Sequence, residues 1–181
     1  MAKVLVIGGG ITGIQAALDL SQLGFSVILL EREAELGGKL KQLSALFPRG
    51  ESAGELLEAK KRQLEESGNI QITTGTEIET VNLQPSGYKV TLKGGGTSLD
   101  VQAAVLATGF DPFDPSPIEE YGYGRLKDVI TAFELEEQLK EGKVERPSTG
   151  SPPQSISLLQ CVGSRDRRTN RYCSYFCCTY A

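Results

Sequence analysis

The chain has 181 residues, of which 39% are hydrophobic and 23% are charged, proportions that are ordinary for a soluble globular protein. This length allows one complete domain and the beginning of a second. A formal net charge of −4 disfavours a nucleic-acid surface, and no apolar run reaches the roughly 20 residues of a membrane span. The absence of histidine excludes histidine acid–base catalysis and every histidine metal ligand.

The first thirty residues predict a strand–helix–strand unit. The apolar run "KVLVIG" ends in glycines and is typical of a buried parallel strand. Apolar residues recur at helical spacing from Ile11 to Leu23, and Gly24 ends that helix. The run "FSVILLE" then predicts a second strand. Such a unit closes into a parallel sheet.

The middle of the chain predicts a small antiparallel β meander inserted into this α/β unit. An amphipathic helix is expected over residues 52–67, and "NIQITTG" follows as a strand. Three β segments, "TEIETVNL", "GYKVTLK" and "TSLDV", are then separated by the turn sequences "QPSG" and "KGGG". The run "AAVLATG" returns as a buried strand. The predicted fold is therefore α/β and Rossmann-like.

The last third predicts one more helix and the beginning of a second domain. The proline-rich "DPFDPSP" predicts a loop, and "ITAFELEEQLKEG" predicts a helix. Residues 142–154 have the composition of a linker. A strand in "SISLLQCVG" and a short terminal helix follow. We therefore expect a nucleotide-binding domain at residues 1–141 and a cysteine-bearing second domain that begins at residue 155.

A glycine motif connects the first strand to the first helix. Gly8, Gly10 and Gly13 fit G-x-G-x-x-G, and Glu31 closes the next strand. Gly8 permits the tight turn, Gly10 allows a pyrophosphate to approach the backbone, and Gly13 allows close packing of the helix. The helix N-terminus attracts phosphate. Glu31 would accept a hydrogen bond from a ribose hydroxyl and repel a 2′-phosphate. The alternative is a glycine turn without a ligand.

Two further glycine sites could lie along a long nucleotide ligand. Gly37 and Gly38 follow the second strand, and Thr108 and Gly109 follow the strand "AAVL". Each pair alone is explained equally well by an ordinary turn. From these residues alone, FAD and NAD both remain open.

Four cysteines, Cys161, Cys173, Cys177 and Cys178, occupy the last 21 residues. The N-terminus enters a strand directly, without a cleavable signal, so we expect a cytoplasmic protein with reduced thiols. Four thiolates suit an iron–sulfur cubane, whereas a zinc site would normally show two C-x₂₋₄-C pairs. Buried inert cysteines are the alternative. On a regular helix Cys178 would point about 140° away from Cys173, which weakens a four-cysteine site.

A basic run lies between the first two cysteines and carries one acid, Asp166. It could hold an anion, although a solvated loop is the simpler interpretation. The basic residues are Arg165, Arg167, Arg168 and Arg171.

The combined motifs resemble one family of flavoproteins. "GGGITGIQAALDL", "LLERE…LGGKLKQL…FP", "LATGFDPFDP", "EYGYGRLKDVITAFELE" and "QCVGSRD…YCSYFCC" are similar to the flavoprotein A subunit of heterodisulfide reductase and its relative in the quinone-interacting membrane-bound oxidoreductase. The resemblance implies an FAD-dependent oxidoreductase that passes electrons between flavin, a [4Fe–4S] cluster on the four cysteines, and partner subunits. No residue is nominated as a catalytic acid or base. The implied FAD-binding residues are Gly8, Gly10, Ile11, Thr12, Gly13, Glu31, Arg32, Gly37, Gly38, Lys39, Thr108 and Gly109.

The sequence also departs from that family. The stretch "FPRGESAGE" contains no cysteine, and the chain ends at Ala181, so we expect the N-terminal part of a longer protein, a split gene product or a degenerate copy. Two alternatives follow. One is an incomplete nucleotide-binding module that needs a partner chain. The other is an NAD-binding domain with structural or zinc-bound cysteines.

Overall fold

The computed structural model describes residues 2–94, 96–173 and 175. The chain forms two compact units, one of residues 1–41 and 53–110 and the other of residues 42–52 and 111–181. The domain limits expected from sequence, at residues 141 and 155, stay a prediction. Within the described ranges, no helix combines the length and the hydropathy that a membrane span requires.

The elements follow one another in an order typical of an α/β protein with an inserted meander. In chain order they are β1 (Lys3–Ile7), α1 (Ile11–Gln22), β2 (Ser26–Leu30), a 3₁₀ helix (Gly38–Gln42), β3 (Ala45–Leu46), β4 (Glu51–Ser52), α2 (Ala53–Glu66), β5 (Ile70–Thr73), β6 (Ile78–Gln84), β7 (Gly87–Leu92), β8 (Ser98–Val101), β9 (Ala103–Leu106), a second 3₁₀ helix (Glu119–Tyr121) and α3 (Ala132–Lys140).

The first unit is built on a parallel sheet with strand order β5-β2-β1-β9. Its central strands are short runs of Val, Ile and Leu, which suit strands that are covered on both faces. Leu5 in β1 pairs with Ile28 in β2 and with Ala104 in β9, and Leu5 is fully buried. The predicted Rossmann-like α/β fold is therefore confirmed.

The two faces of this sheet are covered by different layers. Alternate residues along β1 and β2, including Leu5 and Ile28, pack with Val90 and Val101 of the antiparallel β6-β7-β8 meander. On the helical side α1 packs against β1, β2 and α2. Burial of each large aliphatic side chain contributes roughly 1.5–3 kcal/mol, so the meander is part of the core. The predicted meander is confirmed.

The second unit contains a capped helix and a short hairpin. Thr131 and Glu134 form a reciprocal capping box at the start of α3, with Glu134 N–H donating to Thr131 Oγ1 at 3.2 Å and Thr131 N–H donating to Glu134 Oε2 at 2.6 Å. The backbone N–H of Ser44 donates to Glu136 Oε2 at 2.7 Å. This bond ties the segment before the β3–β4 hairpin to α3.

The strand predicted in "SISLLQCVG" is wrong. Residues 155–161 have no strand assignment, and Ile156, Leu158 and Leu159 are exposed. A strand requires a neighbour for its backbone groups, and the part of the chain that the structure describes offers this segment no ladder. Cys173 is likewise not helical. The rest of the predicted terminal helix lies outside the described residues.

Segment 142–154, predicted as a linker, has no helix or strand but is held in place by Asp128. The Asp128 carboxylate accepts hydrogen bonds from Ser148 Oγ at 2.8 Å, Arg146 Nη2 at 2.6 Å and the Ser148 backbone N–H at 2.9 Å. These donors, Ser148 first and then Arg146, lower the pKa of Asp128 to about 2. The charged form of Asp128 therefore stabilises this arrangement.

We expect that arrangement to weaken in acid. The folded-state pKa of Asp128 is depressed, so its stabilisation is fully present above the unfolded pKa of about 3.9 and is lost as the pH falls toward about 2. The midpoint of thermal unfolding, followed by circular dichroism, should be lower for Asp128→Asn than for wild type at pH 6, and the gap should narrow between pH 4 and pH 2. The exposed Asp111→Asn serves as the control and should show no such narrowing. A difference in unfolding midpoint between wild type and Asp128→Asn that stays constant down to pH 2 would contradict this assignment.

Candidate functional site

The junction of β1 and α1 is so closely packed that Gly8 in the turn and Gly13 in the first turn of α1 have no room for a side chain against neighbouring backbone. Gly8 has φ +109°, and a Cβ there would lie 2.3 Å from the carbonyl oxygen of Ala107. A Cβ on Gly13 would lie 1.8 Å from the carbonyl oxygen of Gly8 and 3.4 Å from the Cβ of Ala107. Both glycines therefore allow β1, α1 and the end of β9 to approach one another at backbone distance.

Gly10 differs from these two glycines because it faces open space. It has φ −74° and ψ 179°, values open to any residue, and a Cβ on Gly10 would meet no atom within 4 Å. Gly10 is the N-cap of α1, and no side chain caps that helix end. The N-terminus of α1, beginning at Ile11 and Thr12, thus presents backbone N–H groups and a partial positive charge beside an open approach. This geometry suits an anion.

The predicted Gly37–Gly38 pair lies directly against this turn. Gly37 N–H donates to the Gly9 carbonyl oxygen at 2.7 Å, and Gly37 forms a parallel bridge with Gly10. A Cβ on Gly38 would lie 3.1 Å from Gly10 Cα. The tertiary structure therefore brings the first two glycine segments together, and Lys39 lies in the 3₁₀ helix that begins at Gly38.

Glu31 directly follows β2, and its side chain lies against the glycine turn. It is only 7% exposed. Oε2 accepts from Gly9 N–H at 2.5 Å, and Oε1 accepts from Glu33 N–H at 2.8 Å. Each carboxylate oxygen retains a further lone pair. The two backbone N–H groups thus fix the orientation of the Glu31 carboxylate. The carboxylate can still accept a hydrogen bond from a ligand hydroxyl.

The motif did not reveal the role of Gly9. A Cβ on Gly9 would lie 2.4 Å from Leu36 Cδ2 and 2.9 Å from Glu31 Cβ. The middle glycine of "GGG" was the available signal, but the G-x-G pattern leaves that position unspecified. The structure shows that the absence of a side chain at Gly9 leaves room for the Glu31 carboxylate to contact the turn.

A cavity of about 310 Å³ opens beside Glu31 at the carboxyl ends of β1 and β2. Ligands of open α/β sheets bind at this edge. Four of the residues around it, Gly8, Glu31, Arg32 and Thr108, were predicted from sequence as nucleotide contacts. The full set of residues that line the cavity is Ile7, Gly8, Leu30, Glu31, Arg32, Thr76, Glu77, Ile78, Lys93 and Thr108.

The meander supplies the part of this cavity that no motif indicated. Lys93 Nζ lies 2.5 Å from Glu77 Oε2. The hydrogen bond and charge of Lys93 lower the pKa of Glu77, with a smaller effect from Arg32, and Glu77 raises the pKa of Lys93 in return. Arg32 pairs with Glu33 at 3.3 Å. Two acids, Glu31 and Glu77, and two cations, Arg32 and Lys93, therefore line the cavity.

A larger groove of about 440 Å³ lies between α1 and α2. It is lined by residues such as Gln15, Asp19, Lys60 and Gln63 and contains none of the predicted contacts. The smaller cavity combines the glycine turn with a buried acid. We therefore assign the candidate site to the smaller cavity. Thr108 lines this cavity, and the predicted contact Gly109 follows it in the chain. Gly109 has φ +73°, and a Cβ on it would meet no atom within 4 Å.

The two described cysteines flank a loop closed by backbone hydrogen bonds. Ser164 N–H donates to the Cys161 carbonyl oxygen at 3.0 Å, and Arg165 N–H donates to the Tyr172 carbonyl oxygen at 3.3 Å. Cys161, with φ +62°, and Cys173 are free, half-buried thiols. Over the described ranges no three potential metal ligands come together. Cys177 and Cys178 lie outside these ranges.

One arginine of the basic run is engaged by acids of its own unit. Arg168 lies 2.8 Å from Asp166 and 2.5 Å from Glu120, and both acids raise the pKa of its guanidinium. Arg168 therefore organises the loop, whereas Arg165, Arg167 and Arg171 are exposed.

Comparison with known proteins identifies the family. Residues 2–151 match the family described as pyridine nucleotide-disulphide oxidoreductase. The chain belongs to this family. As a member of the pyridine nucleotide-disulphide oxidoreductases, it is expected to use FAD, and the open approach above Gly10 and the buried acid beside it fit the ADP half of that cofactor.

The resemblance to heterodisulfide reductase is also confirmed. The chain is 31% identical to an iron-sulfur A subunit of the CoB–CoM heterodisulfide reductase of Methanopyrus kandleri over 263 residues, covering 99% of this chain. The match spans only 40% of that relative. The matched stretch is 263 residues long, whereas this chain has 181 residues. The relative therefore contains roughly 80 residues within that stretch that have no counterpart in this chain.

Solved structures agree on the fold. L-proline dehydrogenase from P. horikoshii has a TM-score of 0.53 at 28% identity, covering 60% of this chain and 22% of that one. Lactococcus lactis thioredoxin reductase has a TM-score of 0.55 at 22% identity, covering 67% and 41% of the two chains. Each match covers a minority of the known protein and supports the architecture of the pyridine nucleotide-disulphide oxidoreductase fold.

We expect Gly13→Ala to destabilise the protein strongly. The new Cβ would meet the Gly8 carbonyl oxygen at 1.8 Å, and a backbone atom cannot move aside as a side-chain tip can. The loss in the free energy of unfolding, measured by urea denaturation, should be about 3 kcal/mol, at the upper end of ordinary overpacking. Gly68→Ala, whose Cβ would meet no atom within 4 Å, is the matched control. It should change stability by less than about 0.5 kcal/mol, and equal effects of the two substitutions would refute the packing argument.

Proposed function

We propose that this chain forms the FAD-binding part of an electron-transfer oxidoreductase subunit similar to the flavoprotein A subunit of heterodisulfide reductase. In this proposal electrons pass between FAD, a [4Fe–4S] cluster on Cys161, Cys173, Cys177 and Cys178, and partner subunits. The observation that carries the proposal is the open approach above Gly10 at the uncapped N-terminus of α1. The protein similarity covers the chain and about 40% of the relative.

The glycine turn would bind the pyrophosphate of FAD by its backbone. Gly8 and Gly13 bring the strand and the helix together, and Gly10 leaves the entry free of side-chain atoms. The N–H groups at Ile11 and Thr12 begin α1, whose partial positive charge complements the phosphates. Because these groups belong to regular elements, they are oriented before the ligand arrives.

Glu31 would hold the ribose of the adenosine half. Its carboxylate is already oriented by Gly9 N–H and Glu33 N–H, so binding a hydroxyl would cost little side-chain entropy. A second negative charge on the ribose would be repelled by the same carboxylate. Arg32 and Lys39 would flank the ligand.

The remaining glycine segments would line the path of FAD away from the helix. Gly37 and Gly38 pack against Gly10, while Thr108 and Gly109 follow β9 on the other side of β1. When bound, FAD supplies the hydride and electron-transfer chemistry. The residues of this chain bind and orient it, and the proposal assigns no residue as an acid or base.

The cysteines would hold the cluster. Four thiols match the ligand requirement of a [4Fe–4S] cluster, and the name of the M. kandleri relative describes an iron–sulfur subunit. The loop that joins Cys161 to Cys173 is closed by hydrogen bonds between its two ends, which supports two thiols held in a defined arrangement. With no histidine in the sequence, the thiolates are the strongest side-chain ligands that this chain offers a soft metal.

Gly10→Ala tests the flavin site. The substitution suits the backbone at φ −74° and meets no protein atom within 4 Å, so it should leave the thermal midpoint of unfolding unchanged. The methyl group would occupy the approach of the pyrophosphate, and we expect FAD affinity to fall about tenfold or more, equivalent to at least about 1.4 kcal/mol. Flavin fluorescence titration measures this affinity, with Gly68→Ala as the control. Equal FAD binding by wild type and Gly10→Ala, or no FAD binding by wild type, would argue against the proposal.

Metal analysis tests the cluster. Anaerobic purification with iron and sulfide should yield about four irons per chain, as a [4Fe–4S] cluster requires, and a broad brown absorption. Cys161→Ser and Cys173→Ser should each lower the iron content, whereas Ser164→Ala in the same loop should retain it. Zinc in place of iron would favour the alternative of a domain with zinc-bound cysteines.

A further inference from the structure

The side chain of Phe113 packs directly on the loop that joins Cys161 to Cys173. A Cβ on Gly163 would lie 2.4 Å from Phe113 Cγ and 2.5 and 2.6 Å from its two Cδ atoms. Gly163 is buried and has φ +76°, a conformation that residues with a side chain rarely adopt. Because Gly163 has no side chain, the ring can lie against the backbone of the loop.

Gly163 connects the two arms of this loop. It lies two residues after Cys161, and its carbonyl oxygen accepts from Thr169 Oγ1 at 3.0 Å. The next residue, Ser164, forms a parallel bridge with Asn170. A ring that packs on Gly163 therefore restrains the outgoing arm, which begins at Cys161, and the returning arm that is bonded to it.

A second contact attaches the same loop to the same segment of the chain. Arg168 Nη1 donates to Glu120 Oε1 at 2.5 Å, and Glu120, like Phe113, lies between β9 and α3. Both side chains of this ion pair are 60% exposed, so water and salt screen it and it contributes little to stability. The contact of the Phe113 ring with the buried Gly163 is apolar and is not screened. Phe113 is therefore the stronger of these two attachments.

Backbone hydrogen bonds hold both described cysteines at the ends of the loop. Cys173 Sγ accepts a hydrogen bond from Tyr175 N–H at 3.3 Å, and such bonds to sulfur are among the features that tune iron–sulfur clusters. Cys161 has φ +62°, and its carbonyl oxygen accepts from Ser164 N–H at 3.0 Å. This arrangement fits a soft metal, which binds thiolates best when they are oriented in advance.

We infer that Phe113 is a positioning residue for the thiols of Cys161 and Cys173. It would not touch the metal. By packing on Gly163 it would hold the loop in the arrangement that the metal requires, so that binding costs less conformational entropy. This inference rests on the proposed function, since it assigns to Phe113 a role in the cysteine site proposed there.

Cadmium titration of the reduced 181-residue chain, carried out without oxygen, tests this role. Cd²⁺ binds thiolates, and the thiolate-to-metal absorption gives an apparent Kd that depends neither on iron nor on activity. Phe113→Ala should raise that Kd about tenfold, the lower end of the usual effect of losing a residue that supports metal ligands. Phe113→Tyr adds a hydroxyl at the end of the ring opposite to the atoms nearest Gly163, so it should bind Cd²⁺ as wild type does. The iron retained after anaerobic reconstitution should follow the same order.

Gly163→Ala tests the same contact from the side of the loop. Its Cβ would collide with the Phe113 ring, and the Kd for Cd²⁺ should again rise about tenfold. In the double variant, which combines Phe113→Ala with Gly163→Ala, the two effects should not multiply, because each substitution removes the same contact. Effects that multiply fully would show that the two residues act independently and would overturn the inference.

Leu139→Ala is the matched control. Leu139 lies on α3 in the same compact unit, and it is 44% exposed, against 42% for Phe113. The substitution removes a similarly exposed apolar side chain, and the Kd for Cd²⁺ should not change. Cys161→Ser should weaken the binding of Cd²⁺, which verifies that the signal arises in this loop. A urea unfolding curve for each variant verifies that it is folded.

Failure of this inference differs from failure of the proposed function. If wild type and Phe113→Ala bind Cd²⁺ with the same Kd and retain the same amount of iron, the inference is overturned and the proposed cysteine site stands. The same holds if Phe113→Tyr binds as weakly as Phe113→Ala, because the ring would then not be what holds the loop. If Phe113→Ala does not fold, Gly163→Ala decides, since a wild-type Kd would overturn the inference and a raised Kd would support it. If wild type binds neither Cd²⁺ nor an iron–sulfur cluster, the proposed cysteine site fails and the inference fails with it, whereas FAD binding is judged separately.

Discussion

The close approach of backbone to backbone at the glycine turn determines the geometry of the site. Gly13 allows α1 to rest on the carbonyl oxygen of Gly8, and Gly8 allows the turn to rest on Ala107 at the end of β9. A single methyl group at either position would push the helix off the sheet. Because both contacts involve main-chain atoms, the N-terminus of α1 has one position relative to β1. Gly10 remains the open point beside that helix end.

The buried carboxylate of Glu31 extends this constraint to the second strand. A buried charge is tolerated only when hydrogen bonds replace its water, and here Gly9 N–H and Glu33 N–H supply them. The same bonds fix the orientation of the side chain beside the turn. Glu31 thus contributes to the local structure and to the proposed ribose site through one set of contacts. Gly9, which the motif leaves unspecified, makes room for it.

The cysteine-bearing end has a different organisation. Its loop is closed by backbone hydrogen bonds and by the Arg168 ion pairs with Asp166 and Glu120. Membership of the pyridine nucleotide-disulphide oxidoreductase family accounts for residues 2–151. The similarity to heterodisulfide reductase extends the relationship over nearly the whole chain and is the basis for proposing a cluster in addition to the flavin.

Local patterns account for both what was predicted and what was missed. The parallel strands, the helix α1 that packs on them, the helix α2 that packs on α1 and the meander were all predicted, because a strand, an amphipathic helix and a hairpin each leave a short-range signature. The strand expected near Ile156 failed because a strand also depends on a neighbour, and pattern does not reveal whether one is present. The glycine motif, the acid at residue 31 and the four cysteines could be read directly, since they depend only on residue type and spacing. Only the packed chain reveals that Gly9 binds the Glu31 carboxylate, that Gly37 packs against Gly10, and that Glu77 and Lys93 line the candidate cavity. These contacts join residues far apart in the chain, and their distances follow from how the meander and loops pack on the parallel sheet, which no short-range pattern encodes.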